Sequence, residues 1–147
     1  MPQTGYFLDT NILVHLIRRD GIGEYLIAHY SLYLADPRPI ISDVSEGELR
    51  SLAIQWQWGS RKKKQMEFVL SYFQRDTIST TGVFKTYAAI DAYSESIGKP
   101  MGKNDVWIAA SARVAKATLL TTDTDFDHLH DVFITREWID PERDKKS

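Results

Sequence analysis

Apolar positions along this chain fall into short strand-like runs separated by longer stretches with a helical period. Tyr6-Phe7-Leu8 is a compact apolar run that ends at Asp9. Beyond it Ile12, Leu13, Leu16 and Ile17 recur at helical spacing, with Thr10 or Asn11 placed to cap the helix. A second helix is predicted from Glu24 to Leu34, closed by Asp36-Pro37 because proline disfavours helix in the residue before it. Pro39-Ile40-Ile41-Ser42 predicts the next strand. Leu49, Leu52, Ala53 and Trp56 then mark one stripe of a helix over Val44–Trp58, which Gly59-Ser60 breaks. Met66, Val69, Leu70 and Phe73 give the apolar side of another helix from Ser60 to Phe73. A strand is expected at Asp76–Ser79 and a helix over Val83–Ile97. From Asp105 to Ala117 the residues are apolar nearly all round, the pattern of a buried helix. Thr118–Thr121 and Val132–Ile134 predict the last two strands.

Short strands alternating with longer helices give an α/β fold, a mostly parallel sheet between two helical layers. No repeat and no Pro/Gly/Ser linker divides the 147 residues, so one domain over 1–147 is expected. With 43% hydrophobic residues, four Trp, seven Tyr and six Phe, the chain can bury a real core, which excludes a disordered class. Zero Cys excludes a disulfide scaffold, a zinc ribbon and a cysteine nucleophile. No apolar run approaches the ~20 residues of a membrane helix, and the residues after Met1 lack a signal peptide's apolar region, so a cytoplasmic protein without membrane contact is expected. The formal charge is −2, from 18 Lys+Arg against 20 Asp+Glu. A polyanionic partner would therefore need a local basic patch or a bound cation.

In such sheets ligands sit beyond the carboxyl ends of the strands, and acids gather there. Asp9 follows the first strand, Asp123 with Asp125 and Asp127 the fourth, Asp43, Glu46 and Glu48 open the helix after Ile40–Ile41, and Asp105 starts the apolar helix. Acids at helix starts also serve as caps and complement the dipole. Asp9 is harder to explain that way, because it closes an apolar strand. Two unit charges ~4 Å apart repel by about 4 kcal/mol at an effective dielectric of 20. Convergent carboxylates therefore need a cation, and oxygen donors without Cys select hard Mg²⁺ or Mn²⁺.

The same residues carry a family resemblance. Phe7-Leu8-Asp9-Thr10-Asn11-Ile12-Leu13 resembles the opening motif of PIN-domain ribonucleases, in particular VapC-like toxins of toxin–antitoxin pairs. Ile41–Arg50 resembles the second motif, with the acid before Leu at Glu48 rather than Glu46. Gly102–Ala110 is similar to the third, whose acid is Asp105, and Leu120–Phe126 to the fourth, with Asp123 its acid, Asp125 an accessory and Thr122 where the family usually has Asn. The four motifs span residues 7–126 in family order. The resemblance implies a three-layer PIN-like fold and an Mg²⁺- or Mn²⁺-dependent endoribonuclease leaving a 5′-phosphate. Asp9, Asp105, Asp123 and Glu48 would be its metal-binding and catalytic residues, with Thr10, Asn11, Asn104 and Asp125 in support. It also implies a homodimer and a small antitoxin as partner.

Two rivals stand beside that reading. A haloacid-dehalogenase-like phosphatase with Asp9 as nucleophile needs a second Asp where this chain has Asn11. A non-catalytic PIN-fold module binding RNA or protein has no need of four intact acids. His128 and His130 lie two apart, but without Cys or a third His nearby they fall short of a zinc set. Arg61-Lys62-Lys63-Lys64 is the one basic run, either a solvated helix face or an RNA contact. Residues 56–81 match no motif.

Overall fold

A computed structural model describes residues 5–143. Five short strands, β1 (Tyr6–Leu8), β2 (Ile40–Ser42), β3 (Gln74–Asp76), β4 (Thr118–Thr121) and β5 (Arg136–Trp138), form one sheet in the order β3-β2-β1-β4-β5. Every pairing is parallel, so the sheet is wholly rather than mostly parallel. Six α-helices connect the strands: α1 (Thr10–Arg18), α2 (Gly21–Tyr30), α3 (Asp43–Gln55), α4 (Ser60–Tyr72), α5 (Val83–Ser96) and α6 (Lys103–Ala115). A 3₁₀ turn at Thr124–Leu129 follows β4.

Side chains alternate across the pleat and so feed two cores. Leu8, Ile41 and Leu120 point into one, with Ile12, Leu16, Leu26, Leu49 and Val69 from α1–α4. Phe7 and Leu119 point into the other, with Ile90, Ile108, Ala109 and Phe126 from α5, α6 and the 3₁₀ turn. The outcome is the expected three-layer α/β/α arrangement. No helix of the described residues is long and apolar enough to cross a membrane.

Several local expectations shift. Asp9, not Thr10 or Asn11, caps α1, its side chain accepting from the Thr10 amide. The second helix begins three residues earlier than expected because the Asp20 carboxylate accepts from the Gly23 amide, and it ends where Ser31 turns left-handed at φ 51°. The third strand lies at Gln74–Asp76 rather than Asp76–Ser79, and the last at Arg136–Trp138 rather than Val132–Ile134. Both are edge strands of polar sequence, held by backbone pairing rather than by an apolar side-chain pattern. Phe133 and Ile134 instead pack the second core from a turn. Of the Trp56/Trp58 pair, Trp58 is core and Trp56 stays 47% exposed.

The strand order places the site. The chain runs from β1 outward to β3 and returns to the other side of β1 as β4, so the topology reverses between β1 and β4. That reversal opens a crevice beyond the strands' carboxyl ends, flanked by Asp9 after β1 and Asp123 after β4.

Candidate active site

A cleft of about 840 Å³ opens at that crevice, and Asp9, Glu48, Asp105 and Asp123 all line it. Asp9 is 2% exposed. Its Oδ1 accepts from the Thr10 amide at 2.8 Å and its Oδ2 from the Thr121 hydroxyl at 2.7 Å. Burial pushes its carboxyl up to about 7, and the charges of Asp105 and Asp123 push the same way against the two hydrogen bonds. Asp105, at the first turn of α6, is also pushed up to about 7, first by burial and then by Asp123, Glu48 and Asp125.

Asp105, Asp123 and Asp125 each offer a carboxylate oxygen, and these atoms lie within 4.8 Å of one another. The trio is all oxygen and anionic, which suits a hard divalent cation such as Mg²⁺ or Mn²⁺. Asp123 caps the 3₁₀ turn by accepting from the Asp125 amide at 2.8 Å, which holds the two acids in fixed relation. Asp125 therefore stands among the converging donors rather than beside them.

The two glutamates of α3 part company. Glu48 faces the cleft, where its Oε1 accepts from the Thr10 hydroxyl at 2.6 Å. That hydroxyl also lies 2.8 Å from the Ser45 hydroxyl. Glu46 turns away to Arg50 at 2.7 Å and Arg75 at 2.6 Å, which hold its carboxyl below the usual range. Asp43 shares Arg75 at 2.9 Å.

Asn11 and Asn104 line the cleft, but neither side chain bonds a carboxylate among the described residues; of the expected supporting residues, Thr10 does so directly. Lys63 and Lys64 lie on the exposed face of α4, while Arg61 and Lys62 border a separate groove with Arg18. His128 bonds Ser94, and His130 Nδ1 accepts from the Arg136 amide, so neither turns to the cleft. Sequence reading missed Thr121, whose hydroxyl donates to Asp9 and accepts from the Asp123 amide at 2.9 Å. Its signal is a hydroxyl two residues before an acid at a strand end. Trp107 on the cleft wall was missed too, and Trp56, expected on the apolar stripe of α3, lines the cleft as well.

Similarity to known proteins agrees with the geometry. Residues 6–132 match the PIN domain family. No curated protein matches the chain. Among solved structures it resembles VapBC2 from Rickettsia felis bound to a DNA fragment from its promoter (TM-score 0.72, 23% identity, covering 89% of this chain and 97% of that one). It resembles FitAcB from Neisseria gonorrhoeae (TM-score 0.69, 26% identity, 88% and 95% covered). A third is VapBC-5 from Mycobacterium tuberculosis, of the VapBC family of toxin–antitoxin systems (TM-score 0.65, 21% identity, 93% and 98% covered). With its profile matched over most of its length, its parallel sheet and its acids at the topological reversal, this chain belongs to the PIN-domain family.

Proposed function

We propose that this chain is a metal-dependent endoribonuclease and the toxin of a toxin–antitoxin pair. The observation that carries the reading is the convergence of Asp105, Asp123 and Asp125 within 4.8 Å beside buried Asp9. Such a cluster repels itself unless a cation sits in it, and PIN nucleases depend on divalent metal. The likeness to VapBC-5, of a family of toxin–antitoxin systems, and to a toxin–antitoxin complex from Klebsiella pneumoniae supports the toxin role. A small antitoxin, a second copy of this chain and a cytoplasmic RNA are its expected partners.

Asp105, Asp123 and Asp125 would hold Mg²⁺ or Mn²⁺, with Asp9 behind them adding negative charge from a fixed position. When bound, the cation stabilises charge on the phosphoryl oxygens and lowers the pKa of water. Thr10 pins Glu48 through Oε1, leaving Oε2 free to accept a proton. In the hydrolysis, a water oxygen bonds to phosphorus as the bond to the 3′ oxygen breaks. The water's proton passes to Glu48 Oε2, and the departing 3′ oxygen takes a proton from solvent, leaving a 3′-hydroxyl and a 5′-phosphate.

The test is cleavage of a single-stranded oligoribonucleotide in Mn²⁺, in EDTA and by Asp123→Asn. Only wild type with metal is expected to cut. Mapping new RNA 5′ ends in cells expressing wild type or Asp9→Asn would locate the target. Cleavage that persists at the same rate in EDTA would overturn the reading.

A further inference from the structure

The acidic cleft repels the substrate it is proposed to cut, so phosphates on either side of the scissile bond need cations elsewhere. Where α1 ends and α4 begins, Arg18, Arg61 and Lys62 border a groove of about 540 Å³ with Ile17, Arg19 and Gln65. Arg19 is taken by Glu24 at 2.8 Å. No carboxylate among the described residues pairs with the other three cations.

Trp56 joins this groove to the active cleft. It lines the cleft, and the Arg18 guanidinium lies 4.9 Å from the centre of its ring. Trp56 is still 47% exposed, although its ring lies 6.1 Å from that of buried Trp58. The Arg18 guanidinium lies over one face of the Trp56 ring; the exposed remainder of the ring offers a base a stacking surface, and cations beyond it suit the backbone.

The cations also stand where they harm the helix. Like α5 and α6, α4 starts on a glycine with no side-chain cap, and its first turn, which has no acid, opens a run of four basic residues at Arg61–Lys64. Positive charge at a helix N-terminus is unfavourable. A local rule broken without a structural gain points to a functional demand.

We propose that the Trp56–Arg18–Arg61–Lys62 groove holds the single-stranded RNA that flanks the scissile phosphate. The proposal rests on the nuclease reading and adds a path for the strand out of the cleft.

The test uses the whole chain, a fluorescein-labelled single-stranded oligoribonucleotide, the same strand annealed to its complement, and bis(p-nitrophenyl) phosphate, a phosphodiester without flanking nucleotides. Arg18→Ala with Lys62→Ala should weaken single-strand binding and flatten its salt slope by about 0.7 for each lost phosphate contact. Trp56→Ala should weaken binding about tenfold, within the range of one lost base stack, and Trp56→Phe should restore most of it. Hydrolysis of bis(p-nitrophenyl) phosphate should be unchanged in the Arg18→Ala with Lys62→Ala variant, and the duplex should bind more weakly than the single strand. Lys63→Ala with Lys64→Ala should leave the slope in place. Lys62→Glu should raise the melting temperature while lowering RNA affinity, a split that a purely structural lysine would not produce.

If wild type cuts the RNA and the groove variants bind and cut it equally well, the strand path is overturned and the nuclease reading stands. If the variants keep RNA affinity and lose only affinity for a polyglutamate peptide, the groove serves an acidic protein segment and the strand path is again overturned. If wild type neither binds nor cuts RNA, the nuclease reading falls and the path falls with it.

Discussion

Replacing Asp9 by Asn should stabilise the metal-free protein. Asp9 is 2% exposed and its carboxyl is pushed up to about 7. The folded state therefore holds a proton that the unfolded chain, with a pKa near 4, gives up. For an acid with a raised folded pKa, stability falls as pH climbs above the unfolded value, and the loss levels off above the folded value. A shift of about three units corresponds to about 4 kcal/mol at pH 8 and less than about 2 kcal/mol at pH 5. Asn removes that penalty at a cost. Thr121 now donates to Asp9 and accepts from the Asp123 amide. An Asn amide donating to Thr121 would leave the hydroxyl proton unpartnered, a loss of about 1 kcal/mol. The net gain at pH 8 is about 3 kcal/mol, or roughly 6–12 °C in melting temperature for a chain of this size.

Metal should close most of that gap. A cation at a hundredfold excess over its Kd stabilises wild type by about 2.7 kcal/mol, and the variant, lacking one charge behind the site, should gain less. Circular dichroism melts of both proteins at pH 8 and pH 5, in EDTA and in rising Mn²⁺, would show the curves converging at pH 8 and the EDTA advantage shrinking at pH 5. If Asp9→Asn melts lower in EDTA at pH 8 and both proteins respond equally to Mn²⁺, Asp9 is a helix cap and nothing more.

Glu48→Gln should cut RNA cleavage by on the order of 10²-fold or more, whereas Glu46→Gln, which loses contacts to Arg50 and Arg75, should keep most activity; equal losses in a cleavage assay would refute the division of roles. Asp125→Asn should weaken Mn²⁺ binding about 10–100-fold by calorimetry, and an unchanged Kd would remove Asp125 from the donor set. Gly23→Ala should destabilise the fold by about 1–3 kcal/mol in urea unfolding, because the added Cβ would stand 2.2 Å from the His15 carbonyl oxygen and force α2 away from α1. An effect near zero would mean that the two helices slide apart freely.

What the sequence made legible follows from where side chains decide the outcome. The helices from α3 to α6 were read to within a few residues, because stripes such as Met66, Val69 and Leu70 are the surfaces that bury against the sheet. The edge strands Gln74–Asp76 and Arg136–Trp138 were misplaced, because backbone pairing holds them and nearby apolar residues such as Ile78 and Ile134 drew the reading away. Asp9, Asp105 and Asp123 were legible as candidates because acids that follow strands or open helices converge in a parallel sheet, whereas Glu48 was chosen over Asp43 and Glu46 by its motif resemblance. Two positions along a helix differ by about 200°, so only one of Glu46 and Glu48 could face the cleft, and periodicity alone did not say which. Thr121 went unread because its placement depends on which strand lies beside which, and Trp56 was read as an apolar-stripe residue although it is 47% exposed.

The site and the fold make opposite demands on this chain, and the demands are met in different places. The two cores obey the ordinary rules: apolar stripes inward, caps on α1, α2 and α3, and buried strands in the middle of the sheet. The exceptions sit near the strands' carboxyl ends and at the start of α4. At the first, Asp9 and Asp105 are held where burial and neighbouring acids raise both carboxyls; at the second, Arg61 and Lys62 crowd an uncapped helix start. Each arrangement costs folding energy that a cation or a polyanion would return on binding. With a net charge of −2, the chain gains little from long-range attraction. Sorting acids to one side of Trp56 and cations to the other gives it a local field that an overall charge balance conceals.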